Sequence, residues 1–104
     1  STYSPGCVLK IERRTIPGET EAQVMAEIQA ILDRLSAADP TFRASARCFF
    51  FRDAFEVPRE AGIVRRLARN AAFRLGREPE YFGDTPWMDS ALTSSAGIET
   101  VVFG

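Results

Sequence analysis

Side chains that commonly ligate metals or transfer protons are scarce in this chain. It contains no histidine, and its two cysteines, Cys7 and Cys48, lie far apart in the sequence. A zinc site usually shows two of its ligands only a few residues apart. This spacing supports neither a metal site nor a disulfide, so we expect two free thiols that are buried or half-buried.

A second group with possible chemistry is a set of arginines on a helix predicted over 59–75. Basic helices can bind anions or nucleic acid, but arginines on an amphipathic helix are more often its solvated face. The chain's net charge of −1 gives no support for binding nucleic acid or an anionic membrane. The arginines are Arg65, Arg66, Arg69 and Arg74.

The elements that would position these residues begin with a strand over 7–16, where apolar and polar residues alternate. Thr20 and Gln23 have the spacing of a capping box, which predicts a helix over 21–36. The apolar face of this helix is expected to pack on Leu9 and Ile11. A second strand is predicted over 42–51, and its Phe49-Phe50-Phe51 run indicates either core or an exposed interface patch.

The C-terminal part is predicted to form a helix up to Gly76, a loop over 77–86, a short helix over 91–96 and a strand over 98–103. Asp89 or Ser90 is expected to cap the short helix, and Gly97 to end it in the left-handed conformation. The last strand is apolar on both faces, which is typical of a central strand. The pattern predicts an α+β fold.

Composition is that of an ordinary globular chain, with 45% hydrophobic and 26% charged residues. No apolar run approaches the roughly 20 residues that a membrane-spanning helix needs. No signal peptide is visible, so we expect a cytoplasmic protein.

Two stretches resemble one enzyme family. The segment PWMDSALTSSAGIETVVFG, residues 86–104, is similar to the W-T-D-A-A-L-L-x-x-A-G-I-P-T-V-V-F-G stretch of zinc-dependent amidohydrolases, which include acetylornithine deacetylase, succinyl-diaminopimelate desuccinylase and carboxypeptidase G. The segment LKIERRTIPGET, residues 9–20, resembles the family's L-x-x-x-R-R-x-x-P-G-E junction. The two occur in the family's order and, with the helix between them, cover nearly the whole chain.

The resemblance implies a domain organisation. Residues 1–55 would be the strand-helix-strand half of a ferredoxin-like lid, or dimerisation domain. Residues 56–104 would be the helix-loop-helix-strand end of a zinc-peptidase α/β catalytic domain. Both parts would be incomplete, so the resemblance implies a fragment of a longer enzyme. Its copies are expected to fill the gap in the sheet by pairing with one another or by rearranging.

The implied chemistry is hydrolysis of the amide bond of an N-acyl amino acid or small peptide, with two zinc ions in the full-length parent. We assign no metal ligand or catalytic base to this chain and expect no activity from it alone. Arg14 matches the second arginine of the lid motif, which binds the substrate's carboxylate, and strand parity places it on the face away from the helix. The alternative for Arg14 is a surface salt bridge with Glu12 or Glu19, which would contribute little. Asp89 matches the aspartate of the C-terminal motif, which implies either substrate contact or helix capping.

The chain departs from the family pattern at Met88, where Thr or Ser is usual, and at Glu99, where Pro is usual. Met88 and Trp87 together indicate an apolar pocket wall. Two alternatives to the hydrolase fragment stay open. One is a non-catalytic module that dimerises through strand edges, and the other is a small anion-binding domain that uses the arginine helix and binds polyanions in a salt-sensitive way.

Overall fold

Three helices are the regular elements among the residues that the structure describes. The computed structural model describes residues 2–104, with α1 at Glu21–Ala38, α2 at Gly62–Leu75 and α3 at Ser90–Ser95. The sequence predicted helices over 21–36, 59–75 and 91–96, so the existence of all three is confirmed and their ends differ by a few residues. No helix among the described residues is both long and apolar enough to cross a membrane.

The N-terminus of α1 is capped as its sequence predicts. The Thr20 hydroxyl accepts a hydrogen bond from the Gln23 backbone N–H at 3.2 Å, and the Gln23 side chain accepts one from the Thr20 N–H at 2.8 Å. This reciprocal pair satisfies two donors that the first turn would otherwise leave unbonded. At the other end, Asp39 accepts from the backbone and hydroxyl of Thr41. These bonds hold the pKa of Asp39 below its ordinary value.

Both later helices end at glycines with positive φ. Gly76 follows α2 at φ 69°, and Gly97 follows α3 at φ 81°. The Ile98 N–H returns to the carbonyl of Thr93 and the Gly97 N–H to that of Ser94. This pair of bonds is a Schellman motif, in which the left-handed residue has no Cβ to clash. The predicted helix stops are confirmed.

The predicted α+β fold was wrong, because residues 2–104 contain no β-strand. The strands expected over 7–16, 42–51 and 98–103 are irregular segments, so the strand-helix-strand half of a ferredoxin-like lid is absent. A ladder needs a second strand about 5 Å away, whereas a helix satisfies its own backbone through bonds between residues four apart. Alternating residues favour extended backbone, but within this chain they do not bring two extended segments side by side.

The expected core also fails to form. Only Val64, Ala71 and Ala91 are buried among the residues described, and α1 contributes none of them. Leu9 and Ile11 are 78% and 70% exposed, so the prediction that α1 packs on them was wrong. The radius of gyration is 21.2 Å, against the roughly 13 Å of a compact domain of this length. The molecule is therefore extended, and much of its apolar surface faces solvent.

Candidate functional site

The residue predicted to bind a carboxylate, Arg14, lies beside the C-terminal motif. Its Nη1 donates to the backbone carbonyl of Thr85 at 3.5 Å, across 71 positions of sequence. Its Nε lies 3.5 Å from a carboxylate oxygen of Glu12, and the Arg14 side chain is 73% exposed. Both contacts are long and solvated, so each is weak. Arg14 therefore lies near Thr85 without a strong contact, and much of its guanidinium is open to solvent.

Trp87 is tied to a different part of the chain. Its indole N–H donates to the carbonyl of Asp53 at 3.3 Å, and the side chain is 46% exposed. Met88, the next residue, is half-buried. An indole held at its N–H keeps its apolar ring in a set orientation. Neither residue lines the two depressions found on the described residues, so the apolar pocket wall stays a prediction.

Asp89 stands immediately before α3, at the N-cap position, but its side chain makes no capping hydrogen bond. Its backbone carbonyl accepts from the N–H groups of Leu92 and Thr93 instead. The position predicted for the cap is confirmed, whereas capping by the Asp89 side chain was wrong. The carboxylate of Asp89 is therefore not engaged by the helix that follows it.

Arg13, the neighbour of Arg14, has a structural role. Its guanidinium bonds to Glu27 on α1 and to Glu19, the latter at 2.6 Å. Glu27 first and Glu19 second raise the pKa of Arg13 above its ordinary value. The pKa of Glu19 lies below its ordinary value, mainly because the Ile16 N–H donates to it and secondly because Arg13 does. Arg13 thus fastens the segment before Pro17 to α1, and this network was not predicted.

A second contact that the sequence did not reveal involves Glu99. Its Oε1 accepts from the backbone N–H of Gly62 at 3.3 Å, across 37 positions, and its Oε2 lies 3.7 Å from Nη2 of Arg66. Ala61, at the N-cap of α2, has no side-chain oxygen, so a carboxylate from elsewhere serves the helix end and its positive dipole. The only indication of this contact in the sequence is that Glu99 stands where the resembled family usually has Pro.

The remaining candidates do not join this site. An open depression of about 310 Å³ lies between segment 53–56 and α3, but neither Arg14 nor Asp89 lines it. Among residues 2–104, no three side chains of His, Cys, Asp or Glu come together in a way that could hold a metal ion. Both thiols are free, with Cys7 exposed and Cys48 half-buried. The expectation that both thiols would be buried or half-buried was wrong for Cys7.

Comparison with protein-family models, with curated proteins and with solved structures finds no match to this chain.

Proposed function

We propose that this chain is a segment of a cytoplasmic zinc-dependent hydrolase that cleaves the amide bond of an N-acyl amino acid or small peptide. In this proposal the segment binds the substrate's carboxylate through Arg14. The supporting observation is the contact of Arg14, in the first resembling stretch, with Thr85, the residue immediately before the second stretch, although 71 positions separate these residues. A shared site would require the two stretches to meet in this way.

The chemistry of Arg14 suits a carboxylate. A guanidinium offers five N–H donors in a planar fork, and two parallel bonds to a carboxylate are stronger and more specific than one. Of these donors, Nη1 is used by Thr85 and Nε faces Glu12. The contact with Glu12 is an exposed ion pair at 3.5 Å, so an incoming carboxylate can displace it at little cost.

Two neighbouring features support an N-acyl substrate. The side chain of Asp89 makes no capping bond, so its carboxylate can accept a hydrogen bond from a substrate N–H. Trp87 is nearly half exposed and is held by Asp53, so it offers a fixed apolar face to an acyl group or apolar side chain. Together they match a molecule with a carboxylate, an amide and an apolar part.

The two zinc ions that the resemblance implies do not fit the residues of this chain. The sequence has no histidine, and the described residues gather no group of three possible ligands. We therefore derive no step through zinc and place recognition alone in this chain, with the metal ligands and general base assigned to other residues of the parent enzyme. The cytoplasmic placement is supported by the two free thiols.

The test is a titration of the isotopically labelled chain with N-acetyl-L-leucine, followed by amide chemical shifts in NMR spectra. N-acetyl-L-leucinamide, which lacks the carboxylate, serves as the matched ligand. We expect shifts at Arg14 and around Trp87 and Asp89 with the acid only. Arg14→Gln should weaken binding about tenfold, the worth of a charge-assisted hydrogen bond at a solvated site.

Arg14→Lys, which keeps the charge but loses the fork, should fall between wild type and Arg14→Gln. Arg65→Gln, on the exposed face of α2, is the control for loss of one positive charge and should bind like the wild type. Equal shifts with acid and amide, or an equal loss in the Arg65 variant, would contradict carboxylate recognition by Arg14.

A non-catalytic dimerisation module remains the second candidate, because one observation favours it. Large apolar side chains, including Val8, Leu9, Phe49 and Phe50, are 66–88% exposed. Surface of this kind usually marks a contact with another chain.

A further inference from the structure

Residues 7–15, here called the N-terminal segment, have the sequence of a strand and no strand partner. Among the described residues, none of their backbone groups hydrogen-bonds to another backbone group. Val8, Leu9 and Ile11 are 88%, 78% and 70% exposed. Unpaired backbone donors and acceptors beside alternating apolar side chains are a template for a strand from another chain.

We infer that the N-terminal segment pairs antiparallel with the same segment of a second copy of this chain, across a twofold axis at Ile11. Two identical chains most often associate through a closed twofold interface, where one patch meets its own copy. A twofold axis between antiparallel strands places one residue directly opposite itself. The register is therefore defined by the residue that lies on the axis.

Charge excludes four of the nine registers, which differ in the residue that lies on the axis. A charged residue on the axis would face an identical charge at about 5 Å, and like charges directly opposite each other are destabilising. Four residues of the segment are excluded in this way: Lys10, Glu12, Arg13 and Arg14.

The prolines that flank the segment exclude registers centred near its ends. Proline has no backbone N–H and cannot donate to a ladder. An axis at Cys7, Val8 or Leu9 would bring Pro5 opposite a residue of the second copy, and an axis at Thr15 would do the same with Pro17. Ile11 lies midway between Pro5 and Pro17, so this register leaves both prolines just outside the ladder.

The register at Ile11 also pairs opposite charges. Lys10 faces Glu12 of the second copy, and by symmetry Glu12 faces Lys10 of the second copy. Ile11 meets its own copy, which gives an apolar pair between two ion pairs. Each such cross-strand pair favours association by a modest amount.

Two other extended segments have an apolar strand-like sequence. Residues 98–103 carry a single charge, Glu99, and the segment at 42–51 offers no such complementarity. Its charged residues are Arg43 and Arg47, so any self-pairing lacks an opposite charge to place beside them. Phe49 and Phe50 are exposed there, but nothing in that segment selects a register. A second copy is therefore the occupant of the N-terminal segment, and this inference does not depend on the proposed hydrolase.

The first experiment is sedimentation equilibrium of the 104-residue chain and three charge variants. Lys10→Glu alone puts Glu opposite Glu twice, and Glu12→Lys alone puts Lys opposite Lys twice. Each should raise the dimer dissociation constant about tenfold, because two attractive pairs become repulsive. The double variant Lys10→Glu with Glu12→Lys exchanges the charges and should restore the wild-type constant.

The second experiment reads the register directly. In a Cys7→Ser, Cys48→Ser background, Ile11→Cys places two thiols across the axis, where Cα atoms are about 4.5–5.5 Å apart and a disulfide can form. Leu9→Cys, on the same face, places them about 13 Å apart, four residues along the strands. With oxidised glutathione, the Ile11 variant should form a covalent dimer and the Leu9 variant should not.

Three results would overturn the inference. They are a monomer at every concentration, a dimer that the single charge reversals leave unchanged, or equal cross-linking of both cysteine variants. Circular dichroism of each variant shows whether α1 is retained, since the substituted side chains are exposed and lie outside it. A failed dimer leaves the ligand titration at Arg14 unaffected, so the two proposals fail separately.

Discussion

Replacing Thr20 by Ala should destabilise the first turn of α1 by about 1 kcal/mol. The hydroxyl of Thr20 accepts from the Gln23 N–H at 3.2 Å, and the reciprocal bond from the Thr20 N–H to the Gln23 side chain is 2.8 Å. The variant removes the first bond and leaves an N–H without a protein acceptor.

The structure makes α1 a sensitive place for this change. The helix has 18 residues and no buried side chain, so tertiary packing does little to hold it. Helices of this length are marginal in water when they depend on local interactions. A loss of about 1 kcal/mol corresponds to a roughly fivefold larger opening constant. Because tertiary packing does little to oppose the opening of α1, nearly all of this increase should appear in the opening constant of its first turns.

The assay is amide hydrogen exchange by NMR, residue by residue along α1. Thr20→Ala should raise exchange about fivefold in the first turns, Thr20→Ser should stay near wild type, and Thr41→Ala, beyond the other end of the helix, should leave those turns unchanged. Combining Thr20→Ala with Gln23→Ala should cost less than the sum of the single changes, because the two bonds belong to one motif. Unchanged exchange in Thr20→Ala would refute the capping box as a source of α1 stability.

Two further substitutions test the contacts that the sequence did not reveal. Glu99→Gln should destabilise the N-terminus of α2 by about 0.5 kcal/mol, because a neutral amide loses the attraction of the carboxylate to the helix dipole. Amide hydrogen exchange in the first turn after Gly62 measures this loss. A loss that stays the same in 1 M salt would contradict the electrostatic explanation. Arg13→Gln should raise the pKa of Glu19 only part of the way to its ordinary value of 4.5, because the Ile16 N–H, the larger cause, remains. Since the folded pKa is lowered, the stability that Glu19 contributes is complete above about pH 4.5 and is lost as the pH falls through the folded value. Carboxyl ¹³C shifts followed against pH measure it, and an unchanged pKa would show that Arg13 does not act on Glu19.

What the sequence could predict is what depends on neighbours along the chain. The capping box at Thr20, the left-handed glycines after α2 and α3, and the existence of all three helices follow from residues within a few positions of each other. Backbone bonds in a helix join residues four apart, so these elements form without help from distant segments. Their ends differ from the predicted ones mainly at the start of α2, where no side chain of the usual capping type marks the boundary.

What the sequence could not predict depends on distant residues. The carboxylate of Glu99 at Gly62 and the network of Arg13 with Glu27 join separate segments, and no local pattern encodes them. The surroundings of the predicted site residue also depend on a residue that is distant in the sequence. The resemblance predicts Arg14 as a site residue, but its position next to Thr85 is a contact that periodicity alone does not predict.

The wrong strand over 7–16 and the inferred dimer have the same physical origin. Alternating residues make a segment suitable for a sheet, but a sheet forms only when another segment supplies the opposite hydrogen bonds. Among residues 2–104 of one copy, no segment supplies these bonds. The positions of Lys10, Glu12 and the two flanking prolines allow the same segment of a second copy to supply these hydrogen bonds in one register. If cross-linking at Ile11 succeeds, the prediction of a strand was wrong for the single chain because it omitted the partner; if it fails, alternation in this segment has no structural consequence at all.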